Sequence, residues 1–427
     1  MVKDSPEAAL HAHPLASSLT ETDRAFLVSV MQRYHLSYQQ ARMLIEQAID
    51  LSLWRQPPIA TFWDESAGGN RTGKPKLKAI FGKTMDRIAA LRTNPTDYAD
   101  FFDSPRLASK VTHVETLDDV RLLGRCPCPV SGEKTRCCNL LTLDVVQQCA
   151  FACSYCSIQS FYHKNEIVFV ENLRERLEHL ELPEGAWHIG TGQSSDSLMW
   201  GNEHGLLDAL AHFSRKHPEI VVELKTKSAR VDWISTVDFP RSVVATWSLN
   251  VPTIIEKEEH GSASLERRLD AARAAADAGM LVGFHLHPMV YFKGWEQEYQ
   301  SVVRAIVDRF SRDEVLMISL GTLTFTKEVL RQLREGGQPS RILQMELQET
   351  AGKYSYPREV KQQMFSHAYH CFPDSWKGEE GPFFYLCMEV PELWEPVLGI
   401  SYANNAAFES AMREHYTRRI QTQSLQI

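Results

Sequence analysis

The chain has 427 residues, 43% of them apolar and 23% charged, enough to bury a large core in one big domain or two to three smaller ones. Its 46 Lys and Arg against 54 Asp and Glu leave a formal charge of −8, which argues against wholesale coating of nucleic acid but leaves room for a local basic patch. No apolar run approaches the roughly 20 residues of a membrane span. The polar start Met-Val-Lys-Asp-Ser-Pro has no secretory apolar region, so a cytoplasmic protein is expected.

Past a frayed start, two short helices are predicted. Thr20 with Asp23, and Ser37 with Gln40, have the spacing of a capping box. Behind them Phe26, Leu27 and Val30, then Ala41, Leu44, Ile45 and Ala48, fall on one face at helical spacing. A helix-turn-helix is one reading, and a small helical accessory domain that packs on its neighbour is the simpler one. Residues 64–75, rich in Gly, Ser and Asn, read as a loop. Between residues 71 and 92 stand Arg71, Lys74, Lys76, Lys78, Lys83, Arg87 and Arg92 against the single acid Asp86. A phosphate-contacting surface is one explanation, and a solvated linker followed by a basic helix face is the plainer one. The triplet Gly82-Lys83-Thr84 is not a nucleotide loop, because Leu77 stands where that loop needs its first glycine. Residues 1–118 are assigned to this helical accessory region.

Nine cysteines follow, unevenly: seven lie between Cys126 and Cys156, with only Cys371 and Cys387 beyond. Such clustering speaks for metal or redox chemistry more than for a disulfide framework. Cys149-Ala-Phe-Ala-Cys153-Ser-Tyr-Cys156 puts three thiols on one short loop behind an apolar run at 141–146. Three thiolates can hold three irons of a cubane and leave the fourth open, whereas clusters that only carry electrons usually have four. A structural zinc would need a fourth ligand from a second paired arm, and His163 stands alone and off that pattern. Cys126, Cys128, Cys137 and Cys138 could make a second metal site, zinc or an auxiliary cluster, although neither C-x-C nor C-C is the usual knuckle. Otherwise they are reduced thiols. Cys371 and Cys387 read as small buried hydrophobes.

From about residue 141 the texture alternates between strand and helix. Apolar runs at 141–146, 187–189, 220–224, 243–249, 281–286 and 315–320 alternate with helical stretches at 172–182, 206–217, 265–278 and 296–310. The clearest helix has Ser264 as cap, Leu265, Leu269, Ala272 and Ala276 on one stripe, and Gly279 as its stop. Six β/α units in succession imply an α/β fold with a parallel sheet. Chemistry in such barrels gathers at the C-terminal strand ends.

The cysteine loop resembles the signature of radical S-adenosylmethionine (SAM) enzymes, and the strand ends narrow the likeness to spore photoproduct lyase and its relatives. The segments are His188-Ile-Gly-Thr-Gly-Gln-Ser-Ser-Asp-Ser197, Lys225-Thr-Lys-Ser-Ala-Arg-Val-Asp232, Thr246-Trp-Ser-Leu-Asn250 and Gly283-Phe-His-Leu-His-Pro-Met289. Gly294-Trp-Glu-Gln-Glu-Tyr299, Leu320-Gly-Thr-Leu-Thr-Phe325 and Gly352-Lys-Tyr-Ser-Tyr-Pro357 follow in order. Each is weak alone, and their order and spacing carry the resemblance to about residue 390.

That resemblance implies a partial (β/α)6 barrel over 119–390, with a tail at 391–427. It implies a [4Fe-4S] cluster on Cys149, Cys153 and Cys156 that cleaves SAM to a 5′-deoxyadenosyl radical, and a carbon-carbon lyase reaction on a DNA lesion. It places Tyr155 beside the adenine, and Ser195, Lys227 and Ser248 around the methionyl end of the cofactor. Without it, Lys227 could be a solvated helix-start lysine and Ser248 could serve a neighbouring backbone group. His287 is carried as a further cofactor residue, although His285 and His287 share a strand face and buried imidazoles are commonly structural. A flavodoxin- or ferredoxin-like electron donor is implied, and no membrane.

Two departures stand out. The family's hydrogen-donating cysteine, three residues before the aspartate, is Gln193 here, and an amide is a far poorer hydrogen-atom donor than a thiol. Tyr354 and Tyr356 are substitute donors, with packing aromatics as the plainer role. The basic-aromatic hairpin that wedges into DNA in the family is brief and mixed in charge over 341–352. The substrate could therefore be RNA, a peptide or a small metabolite. A non-catalytic, metal-stabilised nucleic-acid-binding protein is the reading from another class.

Overall fold

A computed structural model describes residues 10, 13–92, 95–101, 111–115, 121–126, 132–158 and 166–424. The chain divides into two compact units, one of residues 1–106, 291–293 and 325–348, the other of residues 107–290, 294–324 and 349–427.

The first unit is helical. Helix Glu21–Tyr34 starts where Thr20 Oγ1 accepts the Asp23 amide at 3.1 Å. Helix Tyr38–Leu53 opens on a complete capping box: Ser37 Oγ accepts from Gln40 N, and Gln40 Oε1 accepts from Ser37 N at 3.0 Å. Thr20 thus caps one backbone amide and the Ser37 box two that would otherwise lack partners at the helix start. The predicted stripe residues Leu27, Val30, Ala41, Leu44, Ile45 and Ala48 are buried in one core with Trp54 and Ile88, and Phe26 packs at its edge. The predicted loop at 64–75 is a short 3-10 turn, Glu65–Gly68, and the helix Gly73–Ala89 begins before that stretch ends.

That helix carries the basic segment, and much of its charge is spent locally. Lys83 pairs with Asp64 at 2.8 Å, Arg87 donates to the Phe62 carbonyl, and Arg92 stacks on Trp54 while binding Asp50 at 3.0 Å. Lys74 and Lys78 are exposed.

The second unit holds eight strands in one curled half-barrel sheet. We number them β1 (Leu123–Arg125), β2 (Leu141–Leu143), β3 (His188–Thr191), β4 (Val221–Thr226), β5 (Val243–Leu249), β6 (Val282–Met289), β7 (Val315–Thr322) and β8 (Phe383–Leu386). Their spatial order is their sequence order. β1 is antiparallel to β2, and every later neighbour is parallel. All six predicted strands are present. β1 and β8 were not foreseen, because runs of three and four residues carry no usable period.

Paired residues of parallel strands share a face. The register Ser248↔His285, His285↔Ser319 and Ser319↔Tyr385 therefore sets these four side chains in one row. One step earlier, Thr246↔Gly283 and Gly283↔Met317 form the next row. A Cβ at Gly283 would lie 2.8 Å from Met317 Sδ and 2.9 Å from Thr246 Cγ2, so a side chain there would force those neighbours to shift. Among the described residues no helix is long and apolar enough to cross a membrane.

Candidate active site

The three-cysteine loop leaves the short strand Val146–Gln147, which follows β2. Gln148 (φ 70°) and Ala152 (φ 49°) adopt left-handed backbone to fold it tightly. Cys153 is buried, while Cys149 and Cys156 are half-buried. Burial pushes the Cys153 thiol well above its ordinary value, with the Lys227 cation opposing.

Lys227, just past β4, lies against this loop. Its Nζ donates to Tyr155 Oη at 3.1 Å and to Glu259 Oε1 at 3.0 Å. The ammonium also sits 5.5 Å from the centroid of the Tyr155 ring. Two residues singled out from different strand ends thus meet directly. Ser195 is buried and accepts from Trp200 Nε1 at 3.3 Å. Its neighbour Asp196 ties the ends of β3 and β4 together: Oδ1 accepts Thr226 Oγ1 at 2.6 Å and the amides of Leu198 and Met199, and Oδ2 accepts the Lys227 amide at 2.6 Å. Burial pushes the Asp196 carboxyl upward, against these bonds.

Ser248 and His287 lie on the next strands. The Ser248 carbonyl accepts from Arg268 Nη1 at 2.8 Å. The His287 ring packs on Gly321, where a Cβ would come within 2.8 Å of Cδ2. Tyr354 is half-buried and donates to Glu349 at 3.2 Å, whereas Tyr356 is fully buried. Neither tyrosine has a contact with Tyr155 or Lys227 among those described.

Several polar residues were missed. Glu223, inside the apolar strand β4, accepts from His285 Nε2 at 2.7 Å, His188 Nε2 at 3.0 Å and Thr246 Oγ1 at 2.9 Å. Burial opposes its charge, yet the two imidazoles hold the carboxyl well below its usual range. Burial, then Lys225, pulls His285 down to about 4, so the pair is an anion bonded to a neutral ring. A lone acid inside Val-Val-Glu-Leu was a visible signal, since such charges are buried only when paired. Glu259 and Arg268 gave no such signal.

Cys387 is not simply a packed small hydrophobe. The antiparallel bridge Arg136↔Glu389 brings the chain near Cys138 alongside the chain near Cys387. The Cys138 thiol is pushed up first by its bond to Cys137, then by burial, with Cys387 and Cys126 also raising it. Cys128 and His163 lie outside the described residues. As placed, no three His, Cys, Asp or Glu side chains among the described residues are grouped to hold a metal, at either thiol set. What sets the Cys149 loop apart is the adjoining Tyr155, Lys227 and Glu259.

The model of the family described as spore photoproduct lyase matches residues 141–370, more than half of this sequence. The chain belongs to the spore photoproduct lyase family. That family lies within the radical SAM superfamily and implies both SAM and a [4Fe-4S] cluster. The matched span takes in the Cys149 loop and all the strand ends above, and excludes Cys126, Cys128, Cys137 and Cys138, so a second metal there gains no support. Spore photoproduct lyase of Clostridium acetobutylicum is 25% identical over 179 residues, covering 40% of this chain and 53% of that relative. Its counterpart in Bacillus subtilis is 25% identical over 157 residues, 36% of this chain and 45% of the relative. The matches thus span about half the length of these curated relatives. Among solved structures, spore photoproduct lyase complexed with dinucleoside spore photoproduct superposes with TM-score 0.51 at 19% identity, over 64% of this chain and 82% of that one. A Y98F mutant of spore photoproduct lyase gives 0.50 at 18% identity, over 64% and 81%. These likenesses establish the partial-barrel fold of the spore photoproduct lyases.

Proposed function

We propose that this chain is a radical SAM enzyme of lyase type whose substrate is a nucleic-acid lesion in DNA. One observation carries the reading: Lys227, from the end of β4, meets Tyr155 on the loop that bears Cys149, Cys153 and Cys156. The donor set fits the implied groups. Three thiols on one loop suit a cubane with an open corner, and an ammonium beside an aromatic ring suits an amino acid carboxylate joined to a purine.

When bound, the cluster and SAM together supply a 5′-deoxyadenosyl radical by reductive cleavage. The chain's own part is to hold and orient. Cys149, Cys153 and Cys156 are the cluster ligands, Lys227, with Ser195 and Ser248, is assigned to the methionyl end of the cofactor, and His287 is a further cofactor residue. Tyr155 would lie beside its adenine. Asp196 fixes the Lys227 backbone, so the cationic side chain emerges from a rigid base. Hydrogen return to the substrate is assigned to Tyr354 and Tyr356, because Gln193 offers no thiol. A flavodoxin- or ferredoxin-like protein is the electron source in this reading, and the cytoplasm its location.

Gln193 also supports a second reading, in which the same radical chemistry serves RNA, a peptide or a small metabolite. The first test is anaerobic reconstitution with iron and sulfide, dithionite reduction, and measurement of 5′-deoxyadenosine. Wild type should release it, and alanine at Cys149, Cys153 or Cys156 should abolish both the product and the brown colour. A colourless wild type that binds nucleic acid and cleaves no SAM would leave a binding protein instead. Given an active wild type, restored thymines from a dinucleotide photoproduct separate the DNA reading from the second one.

A further inference from the structure

Glu258 and Glu259, at the end of helix Pro252–Glu258, are 0% and 1% exposed. Burying adjacent carboxylates is costly unless each is closely paired. Many of their partners belong to the cluster loop. The Glu258 carbonyl accepts the Ser154 amide at 2.8 Å, and its carboxylate accepts the Ser154 hydroxyl. Three residues later, the Gly261 amide donates to the Phe151 carbonyl at 2.9 Å. A Cβ at Gly261 would sit 2.9 Å from Phe151 Cα and O, so only glycine lets the two backbones approach this closely. The turn at 258–261 therefore grips 151–155, the stretch between the first and last cluster cysteines.

Glu259 extends the grip to the strand ends. Its carboxylate accepts the Tyr155 hydroxyl, Lys227 Nζ at 3.0 Å, Asn250 Nδ2 at 3.2 Å and Arg268 Nη2 at 2.6 Å. Arg268, itself fully buried, also donates to the carbonyls of Ser248 and Ala263 at 2.8 and 2.7 Å. Two cations thus face one anion. The Arg268 and Glu259 side chains are 0% exposed, whereas that of Lys227 is 16% exposed. Arg268 alone can neutralise Glu259, which leaves Lys227 as the cation able to turn toward an incoming anion.

We propose that the turn at 258–261 is the docking clamp of the cluster loop, and that Glu259 is a positioning residue that aligns Tyr155 and Lys227 for SAM. Glu259 holds Lys227 beside the loop until the carboxylate of SAM takes over the ammonium, and Arg268 keeps Glu259 compensated through that exchange. The proposal rests on the radical SAM reading above, and its test separates the two.

The variants are Glu259→Gln, which keeps shape but removes charge, Glu259→Asp as the conservative control, and Gly261→Ala. In the metal-free protein, iodoacetamide labelling of Cys149, Cys153 and Cys156 is followed by peptide mass. The clamp predicts at least tenfold faster labelling of Cys153 in Glu259→Gln and Gly261→Ala, with partial return to the wild-type rate in Glu259→Asp. In reconstituted, reduced protein, the electron paramagnetic resonance change that SAM causes in the wild-type cluster should be diminished in Glu259→Gln. KM for SAM should rise more than kcat falls. A Glu259→Gln protein that merely melts earlier, with wild-type labelling, resonance and KM, overturns the proposal. Should Gly261→Ala fail to fold, Glu259→Gln still decides. Should wild type assemble no cluster or cleave no SAM, the functional reading fails, while the labelling rates still decide the clamp.

Discussion

The helical unit and the barrel unit bury charge in different ways. In the helical unit the fully buried acid Asp50 is held as a strut, with Arg334 donating at 2.7 and 3.0 Å and Arg92 at 3.0 Å. Arg92 also stacks on Trp54 of the apolar core. The barrel instead strings polar groups across successive strands: His188, Glu223, Thr246, His285 and Ser319 form one hydrogen-bonded chain. Such barrels commonly fill their interiors with Val, Ile and Leu, and replacing buried ion pairs by apolar groups is often stabilising. A strut serves stability. A hydrogen-bonded polar row across five strands points instead to a role other than stability.

The largest expected effect tests the strut. Asp50→Ala leaves two guanidinium groups facing each other without their acid, and should cost about 3–5 kcal/mol in urea unfolding. SAM cleavage per folded molecule should stay at the wild-type level. If it falls in step with stability, the division of labour between the units is wrong.

Next comes a pH effect confined to the barrel unit. Burial, then Arg419 and Arg418, pulls His415 down to about 4 from an ordinary 6.5. A depressed histidine binds its proton in the unfolded chain first, so stability is lost as pH falls below 6.5 and levels off below about 4. Each pH unit in that window removes about 1.4 kcal/mol for one such proton. Comparing wild type with His415→Gln by urea unfolding at pH 7 and pH 5 should show the gap closing or reversing at the lower pH. A gap that stays constant would place the His415 proton differently.

Lys227→Met probes the ligand side. It removes the cation least committed to the fold while Arg268 still balances Glu259. SAM should bind tenfold to a hundredfold more weakly, a loss of about 1.4–2.7 kcal/mol, and iron content should be unchanged. Equal weakening of cluster retention and SAM binding would make Lys227 a strut like Asp50.

How much of this was legible depends on how far apart in sequence the partners lie. The boxes at Thr20 and Ser37 were readable because both halves sit within four residues. The six central strands were readable as apolar runs, and the three-cysteine loop stood out by its spacing. Asp196, placed by resemblance, proved to be the tie between β3 and β4. By contrast, Ser154–Glu258 and Tyr155–Glu259 each join residues 104 apart. Glu258-Glu259 alone looks like any exposed acidic helix end. Cys387 likewise became a neighbour of Cys138 only through the bridge at Arg136. Local periodicity carries no information about such pairings, because they are set by how the sheet curls.

The smallest effect returns to the helical unit, where local signals should carry local energies. Ser37→Ala removes the Oγ acceptor of the Gln40 amide, while Gln40 Oε1 can still accept from the residue 37 amide. A lost N-cap costs ~1 kcal/mol, and the surviving half of this exposed box should hold the loss at or below that figure. Urea unfolding should therefore show a reduced midpoint at unchanged slope, with SAM cleavage untouched. A loss several times larger would mean that the cap orders more than the first turn of its own helix, and the cap would then belong to long-range wiring of the kind seen at Asp50 and Glu259.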